Sequence, residues 1–188
     1  TVAHQIAYAF NRDMGVTTSL FPVLDGDTVA QTPPELSDTE LGHMNRYVSL
    51  LGVAARRDLA DPVALRGEEV FTSFGCVKCH TPTLETGPHH PMAELRNQTI
   101  RPYTNLLLHD MGPGLADNMG DEGGGASEWR TPPLWNIGLT AGVSGGEAYL
   151  HDGRARTLEE AILWHGGEGE TAKEAFRTAP ASDRTALV

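Results

Sequence analysis

Apolar residues recur with helical spacing in several short stretches, separated by long polar segments rich in glycine and proline. The spacing predicts a first helix over residues 2–14. A second helix is predicted to begin at the capping box Ser37–Glu40 and to end near Arg57. A third should begin at Asp61-Pro62, an N-cap followed by proline at the first helical position, and end at Gly75. Each helix has one apolar face, which predicts a core built by helix packing.

The second half of the chain carries helix signals mainly at its end. A second capping box, Thr157–Glu160, predicts a helix that Gly166-Gly167 terminates. Residues 170–178 predict a further short helix, and residues 182–188 resemble the start of another. Between residues 81 and 146 there is little periodicity, and strand signals are weak throughout. We therefore expect a mostly α protein with long loops.

Composition and charge limit the classes of partner. The 188 residues suffice for one domain with a core, or a small domain with extensions. The formal net charge is −11, from 14 basic and 25 acidic residues, which argues against binding to nucleic acid or to an anionic membrane surface. No stretch approaches the roughly 20 apolar residues of a transmembrane helix. A protein partner with a basic face is easier to accommodate.

The segment Cys76-Val77-Lys78-Cys79-His80 contains both cysteines of the chain and carries the clearest chemistry. C-x-x-C-H is typical of covalent c-type haem attachment. Thiols at Cys76 and Cys79 lie one turn apart and can reach the two vinyl groups of one porphyrin. The imidazole of His80 then lies under the iron as its proximal ligand. The sequence predicts one haem c, around which the long loops of a cytochrome c-like domain would pack.

Other kinds of site with a C-x-x-C pair fit less well. A thioredoxin-like pair is expected within a βαβ pattern, whereas a short helix precedes Cys76. A structural zinc site normally needs four ligands, and the chain has no second cysteine pair. A thiol oxidoreductase without haem remains an alternative, and it would keep Cys76 and Cys79 as free thiols.

The second axial ligand of the iron decides between electron transfer and catalysis, and residue chemistry leaves it open. Met111 and Met119 have a suitable spacing, because small cytochromes often supply a thioether from a downstream loop. His165 competes because it lies beside Trp164 on a short capped helix that would fix its direction. The full set of candidates comprises the histidines at 4, 43, 89, 90, 109, 151 and 165 and the methionines at 14, 44, 92, 111 and 119.

Several motifs recur in the order found in a known group of proteins. They are Leu65–Phe71, Gly75–His80, Leu106–Leu115, Trp129–Asn136, Leu150–Gly153, Thr157–Ala161 and Ile162–Gly167. In this order they resemble the C-terminal haem domain of the bacterial di-haem cytochrome c peroxidase superfamily. The resemblance is greatest to the di-haem oxidoreductases, the branch labelled thiol oxidoreductases, and it covers roughly residues 40 to 188.

The resemblance implies a role for His165. In the related peroxidases the C-terminal haem transfers electrons, and its distal ligand falls at the end of the helix after the H-D-G turn. That position is His165 here, so the resemblance implies iron ligated by His80 and His165. Bis-histidine ligation should give a lower reduction potential than methionine–histidine ligation, because a methionine ligand raises it.

Further residues carry weaker expectations. Arg130, with Arg154 and Arg156, could pair with the haem propionates, although ion pairs with neighbouring carboxylates are an equal alternative. In the related peroxidases, backbone carbonyls in the segment matching Leu139-Thr140 help to bind calcium. Extra residues interrupt that segment here, so calcium is not the favoured expectation. The acidic stretch 121–125 lacks EF-hand spacing.

The superfamily carries a second C-x-x-C-H motif in an N-terminal domain, and this chain has none. We therefore expect residues 1–36 to be an extension or linker and residues 37–188 to be the haem domain of a longer protein, cut at both ends. Its function would be one-electron transfer with a second haem domain or a redox partner, in the bacterial periplasm, with the signal peptide outside this chain. The alternatives are a self-sufficient monohaem electron carrier and peroxidase-type catalysis at this haem.

Overall fold

The computed structural model describes residues 1–119 and 123–188 and divides the chain into two compact units, Thr1–Gly52 and Val53–Val188. Asp121 and Glu122, the acidic positions of the stretch that lacks EF-hand spacing, lie outside the described residues. The boundary after Gly52 assigns the second predicted helix to the same compact unit as the first. The functional division at residue 37 stays a prediction.

The first unit consists of helix α1, Val2–Met14, and helix α2, Asp38–Ser49, which pack against each other. The capping box of α2 is confirmed: Ser37 Oγ accepts from the Glu40 backbone N–H, and the Glu40 carboxylate accepts from the Ser37 backbone N–H at 2.9 Å. The predicted extension of α2 to Arg57 is wrong, since the helix ends at Ser49. Residues 51–58 are exposed and include Gly52, so neither packing nor propensity extends the helix.

The second unit contains five helices among its described residues: α3, Pro62–Ser73; α4, Thr140–Ser144; α5, Leu158–Leu163; α6, Glu170–Thr178; and α7, Ala181–Leu187. The predicted start of α3 is confirmed, because Asp61 Oδ1 accepts from the Val63 N–H at 2.7 Å. Helix α3 packs against α7, and Arg66 binds both carboxylate oxygens of Asp183 at 2.9–3.0 Å.

The non-helical part of the second unit contains two short antiparallel sheets. Strand β1, Leu84–Glu85, pairs with β2, Thr99–Ile100, and β3, Leu108–Asp110, pairs with β4, Glu128–Arg130. With 41% helix and 7% strand, the mostly α prediction is confirmed. No helix in the described part of the chain is both long and apolar enough to cross a membrane.

The apolar core of the second unit is small. One cluster contains the buried Tyr149, Ala155 and Ala161, and Val70 and Phe176 are also almost fully buried. Long loops lie between these elements, and hydrogen bonds between loop segments supply much of their order. A cytochrome-like arrangement of these loops around one haem remains a proposal.

The contact between α3 and α7 leads to a stability prediction. A Cβ atom at Gly67 would collide with the backbone carbonyl of Ala186, so Gly67→Ala must push α7 away. We expect a loss of about 1–3 kcal/mol in the free energy of unfolding, the usual cost of overpacking. Urea denaturation followed by circular dichroism measures it.

Gly42→Ala is the matched control, because Gly42 lies in α2 with nothing within 4 Å of the added Cβ. Alanine should stabilise this exposed helical position by about 0.5–1 kcal/mol. Equal effects of the two substitutions would contradict the assigned helix contact.

Candidate haem site

The cysteine motif forms one tight turn directly after α3. Gly75 has a φ of +85°, a left-handed conformation in which glycine is favoured, and leads into the 3₁₀ turn Cys76–Lys78. The His80 backbone N–H donates to the Cys76 carbonyl at 2.9 Å. One turn therefore carries both thiols and the imidazole that follows them.

The ring of His80 is held by a backbone carbonyl. His80 Nδ1 lies 3.0 Å from the carbonyl oxygen of Tyr103, so Nδ1–H donates and Nε2 keeps its lone pair. Tyr103 has a φ of +54°, a strained conformation for a tyrosine. Its neighbour Thr104 donates a backbone N–H to the Thr81 carbonyl at 3.0 Å, which fixes this loop beside the cysteine turn.

His165 is held in the same way at the end of α5. Its Nδ1 lies 2.8 Å from the carbonyl oxygen of Ala161, one helical turn earlier, so its Nε2 also keeps a lone pair. The two half-buried imidazoles, from positions 85 residues apart in sequence, have ring centres 6.5 Å apart and planes inclined at 49°.

This arrangement fits the requirements of haem iron. Two imidazoles that bind one metal ion from opposite sides have ring centres about 6 Å apart, because each metal–nitrogen bond is about 2 Å long and each ring centre lies about 1 Å beyond its nitrogen. In the described part of the chain, no group of three or more His, Cys, Asp or Glu side chains is arranged to hold a metal ion. A bare zinc ion would need such a group, whereas a porphyrin supplies four nitrogens and needs only two axial ligands.

Burial keeps both imidazoles in the form that binds metal. Desolvation lowers the pKa of His80 and of His165 below the ordinary value of 6.5, and this effect outweighs the hydrogen bonds to Tyr103 and Ala161, which act in the opposite direction. Both rings are therefore neutral at neutral pH, as metal coordination requires.

The two thiols are not arranged for thiol chemistry. Burial raises the pKa of both Cys76 and Cys79, whereas a reactive thiol needs a lowered pKa. Cys79 Sγ lies 3.7 Å from His109 Nδ1, but that nitrogen also lies 2.8 Å from the Glu168 carboxylate and is not free to act as a base. The described strands form only antiparallel pairs, which removes the thioredoxin-like βαβ alternative for this part of the chain.

Met111 and Met119, the two methionines considered as the second axial ligand, lie in different surroundings. The side chain of Met119 is 75% exposed, so it faces solvent. Met111 lies near His165: a Cβ placed on Gly169 would be 3.3 Å from the Met111 methyl group and 3.1 Å from His165 Cβ. The structure thus brings one thioether into the neighbourhood of the predicted distal histidine.

The three arginines proposed for the propionates do not form one cluster with a shared partner. Arg154 binds Asp152 at 2.7 Å and the Gly114 carbonyl at 2.6 Å, and Arg156 binds Glu160 at 3.0 Å. Arg130 is exposed on β4 and has no ion pair among the described residues. Arg154 and Arg156 thus form the ion pairs with neighbouring carboxylates that the sequence offered as an alternative, and the propionate role of Arg130 stays a prediction.

A cavity of about 560 Å³ is lined in part by Arg57, Arg101, Tyr103 and Trp135. It includes none of the two cysteines and two histidines of the predicted haem site. The predicted haem site is thus defined by the His80–His165 ring pair and the cysteine turn. Tyr103 lines the cavity and also accepts the hydrogen bond from His80 Nδ1.

A family comparison decides the kind of protein. A family model described as "Di-haem oxidoreductase, putative peroxidase" matches residues 6–188. The chain belongs to the di-haem oxidoreductase family. No curated protein and no solved structure shows significant similarity to it.

Membership in the di-haem oxidoreductase family supports haem as the cofactor and a redox function that includes electron transfer. The sequence of this family member holds one C-x-x-C-H segment, Cys76–His80. Calcium at Leu139-Thr140 is untested, and those residues join a 3₁₀ turn to α4.

The structure adds residues to the candidate site that the sequence patterns did not predict. Tyr103, whose carbonyl orients His80, and the pair His109–Glu168 were not predicted. Pro102 is a local turn signal, because proline is favoured at the second position of a turn type whose third residue has a positive φ, as Tyr103 does. His109, on β3, and Glu168 are 59 residues apart in sequence, so no short-range pattern could predict their contact.

The lowered histidine pKa values predict acid sensitivity of the haem-free chain. An unfolded chain binds a proton at each histidine near pH 6.5, before the folded chain does, so stability should fall as pH drops below about 6.5. Urea denaturation of the haem-free chain at about pH 7.5 and about pH 5.5, on either side of the ordinary histidine pKa, measures the fall. His165→Gln should reduce it.

His89→Gln is the control, because His89 is exposed in a turn-rich loop. This variant should keep the acid dependence of the parent. Retention of the full dependence in His165→Gln would show that the buried ring at this position does not cause it.

Proposed function

We propose that this chain is a c-type cytochrome domain that performs one-electron transfer within a di-haem, peroxidase-like oxidoreductase. The observation that carries the proposal is the pair of imidazoles of His80 and His165, with ring centres 6.5 Å apart and each Nδ1 bound to a backbone carbonyl. The adjacent thiols of Cys76 and Cys79 would hold the cofactor covalently, as thioethers on its two vinyl groups.

The protein's own groups support this role by orienting the two imidazoles and by increasing the basicity of each Nε2. The carbonyls of Tyr103 and Ala161 fix the ring orientations and increase the basicity of each Nε2, as hydrogen bonds to ligand histidines generally do. The cysteine turn fixes the proximal side, and the end of α5 fixes the distal side. When bound, haem would supply an iron centre that accepts and donates one electron.

Filling both axial positions has a functional consequence. His165 would occupy the site where peroxide or another small ligand must bind, so the chain would conduct electrons and not react with peroxide itself. Desolvation keeps His165 neutral, which removes competition from protons for Nε2 at neutral pH.

A partner must then supply or accept the electron. The family description names two haems, and this sequence has one attachment motif, so we propose a second haem domain or a separate redox protein as partner. The net charge of −11 favours a partner with a basic face. The proposal includes an extracytoplasmic location, because thioether attachment of haem takes place outside the bacterial cytoplasm.

Covalent attachment is tested by mass. The protein purified from a host with a haem-attachment system should carry the mass of one haem, and the cofactor should stay with the chain on a denaturing gel. Cys76→Ala or Cys79→Ala should leave one thioether and change the reduced absorption band, and the double variant should lose covalent haem. A colourless parent with two free thiols would instead favour a non-haem thiol oxidoreductase.

Distal ligation is tested by optical spectroscopy with cyanide. The parent should be low-spin and bind cyanide slowly, because His165 must first dissociate. His165→Ala should be high-spin and bind cyanide at least about tenfold faster than the parent. Changes to groups that merely support a metal ligand already have effects of about that size, and this variant removes the proposed ligand itself. His89→Ala, a change at an exposed histidine, should behave like the parent.

A parent that is already high-spin and binds cyanide at once would reject the electron-transfer proposal. Catalysis at this haem would then be the better explanation.

A further inference from the structure

Glu168 lies three residues after His165, and both of its carboxylate oxygens bind the same neighbouring strand. Glu168 Oε2 lies 2.8 Å from His109 Nδ1, and Oε1 accepts from the Asp110 backbone N–H at 3.0 Å. His109 and Asp110 belong to β3. One side chain therefore joins the loop of the predicted distal ligand to this strand.

The direction of each hydrogen bond can be deduced from the backbone. Both amide atoms of Asn105 lie near His109 Nε2, Nδ2 at 3.0 Å and Oδ1 at 3.4 Å. Since Oδ1 already accepts from the Leu107 N–H at 2.9 Å, the nearer atom, Nδ2, donates to His109 Nε2. His109 Nε2 is then an acceptor, and Nδ1–H is the group that donates to Glu168.

The same chain of hydrogen bonds reaches the cysteine turn. The Asn105 backbone N–H donates to the Cys79 carbonyl at 2.9 Å, and Cys79 Sγ lies 3.7 Å from His109 Nδ1. Asn105, His109 and Glu168, which we call the brace, thus form a continuous hydrogen-bonded connection from the residue before His80 to the residues after His165.

Close backbone packing supports the brace on its distal side. A Cβ on Gly167, which has a φ of +51°, would collide with the Asp110 carbonyl, and a Cβ on Gly166 would be 2.8 Å from the Met111 carbonyl. The loop after His165 therefore lies directly on the backbone of residues 110–111, and Glu168 fixes it there.

We propose that the brace positions His165 opposite His80 and so keeps the iron six-coordinate. This inference rests on the proposed function, because it concerns the same pair of axial ligands. Glu168 and His109 act on the iron only through His165 and are positioning residues. The Ala161 carbonyl sets the rotation of the His165 ring, and the brace sets the place of the loop that follows it.

The exposure of the brace suggests that its loss would loosen one loop without unfolding the domain. The Glu168 side chain is 54% exposed, so water can replace part of its hydrogen bonding, whereas the His109 side chain is only 14% exposed. Helices α5 and α6 also pack against each other without Glu168. The expected change is thus local mobility of the residues after His165.

Glu168→Ala in the haem-loaded protein tests the proposal. Low-spin signals by optical and electron paramagnetic resonance spectroscopy should give way in part to high-spin signals, and cyanide should bind about tenfold faster than in the parent. His109→Gln should change both in the same direction. Glu174→Ala is the matched control, because Glu174 is a partly exposed acid that pairs with Arg177 within α6.

Far-UV circular dichroism of each variant distinguishes a local change from general unfolding. His109→Gln leaves the bond from the Asp110 N–H to Glu168 intact, so it provides a milder second test if Glu168→Ala folds poorly.

The result that overturns the brace is separable from failure of the proposed function. If the parent binds cyanide slowly, His165→Ala binds it fast, and both brace variants remain as slow as the parent, the brace is wrong and the ligand pair stands. If the parent and His165→Ala bind cyanide equally fast, the proposed ligand pair itself is wrong.

Discussion

The orientation of two imidazole rings is the constraint on which the candidate site depends. A histidine that binds metal through Nε2 almost always donates its Nδ1–H to another group, and in both His80 and His165 that group is a backbone carbonyl. For His165 the carbonyl comes from its own helix and is available wherever α5 forms. For His80 it comes from Tyr103, in a strained conformation that the surrounding loop must maintain.

Polar contacts connect the loops that carry these groups to the rest of the second unit. The buried cluster described for this unit, Tyr149, Ala155 and Ala161 with Ile137, Leu150 and Leu158 packed against it, includes no residue between β1 and β4. Hydrogen bonds such as that from Asn105 to Cys79 tie these loops to the cysteine turn. Haem, once bound, would add a large apolar surface to such a region.

The local features of the fold could be predicted from sequence, and the non-local ones could not. The N-caps Ser37, Asp61 and Thr157 were identified correctly because a cap uses residues only two or three positions away. The end of α2 was missed, because an apolar pattern at Leu50 and Leu51 predicts helix only where a neighbouring surface covers it, and Leu51 is 55% exposed. The C-x-x-C-H segment is local as well, whereas the carbonyl of Tyr103 and the carboxylate of Glu168 reach the candidate site through tertiary contacts.

Sequence spacing favoured a methionine as the second axial ligand but did not decide between methionine and histidine, and the neighbourhood of His165 contains both. The Met111 methyl group and His165 both lie near Gly169, so a thioether and an imidazole are close together here. Only the imidazole has a hydrogen bond that fixes its direction in advance, and a flexible methionine would lose more side-chain entropy on binding. Under the proposed function, histidine is thus the better-prepared ligand, and its choice lowers the reduction potential relative to methionine. A domain with that property is suited to donating electrons to a more oxidising partner.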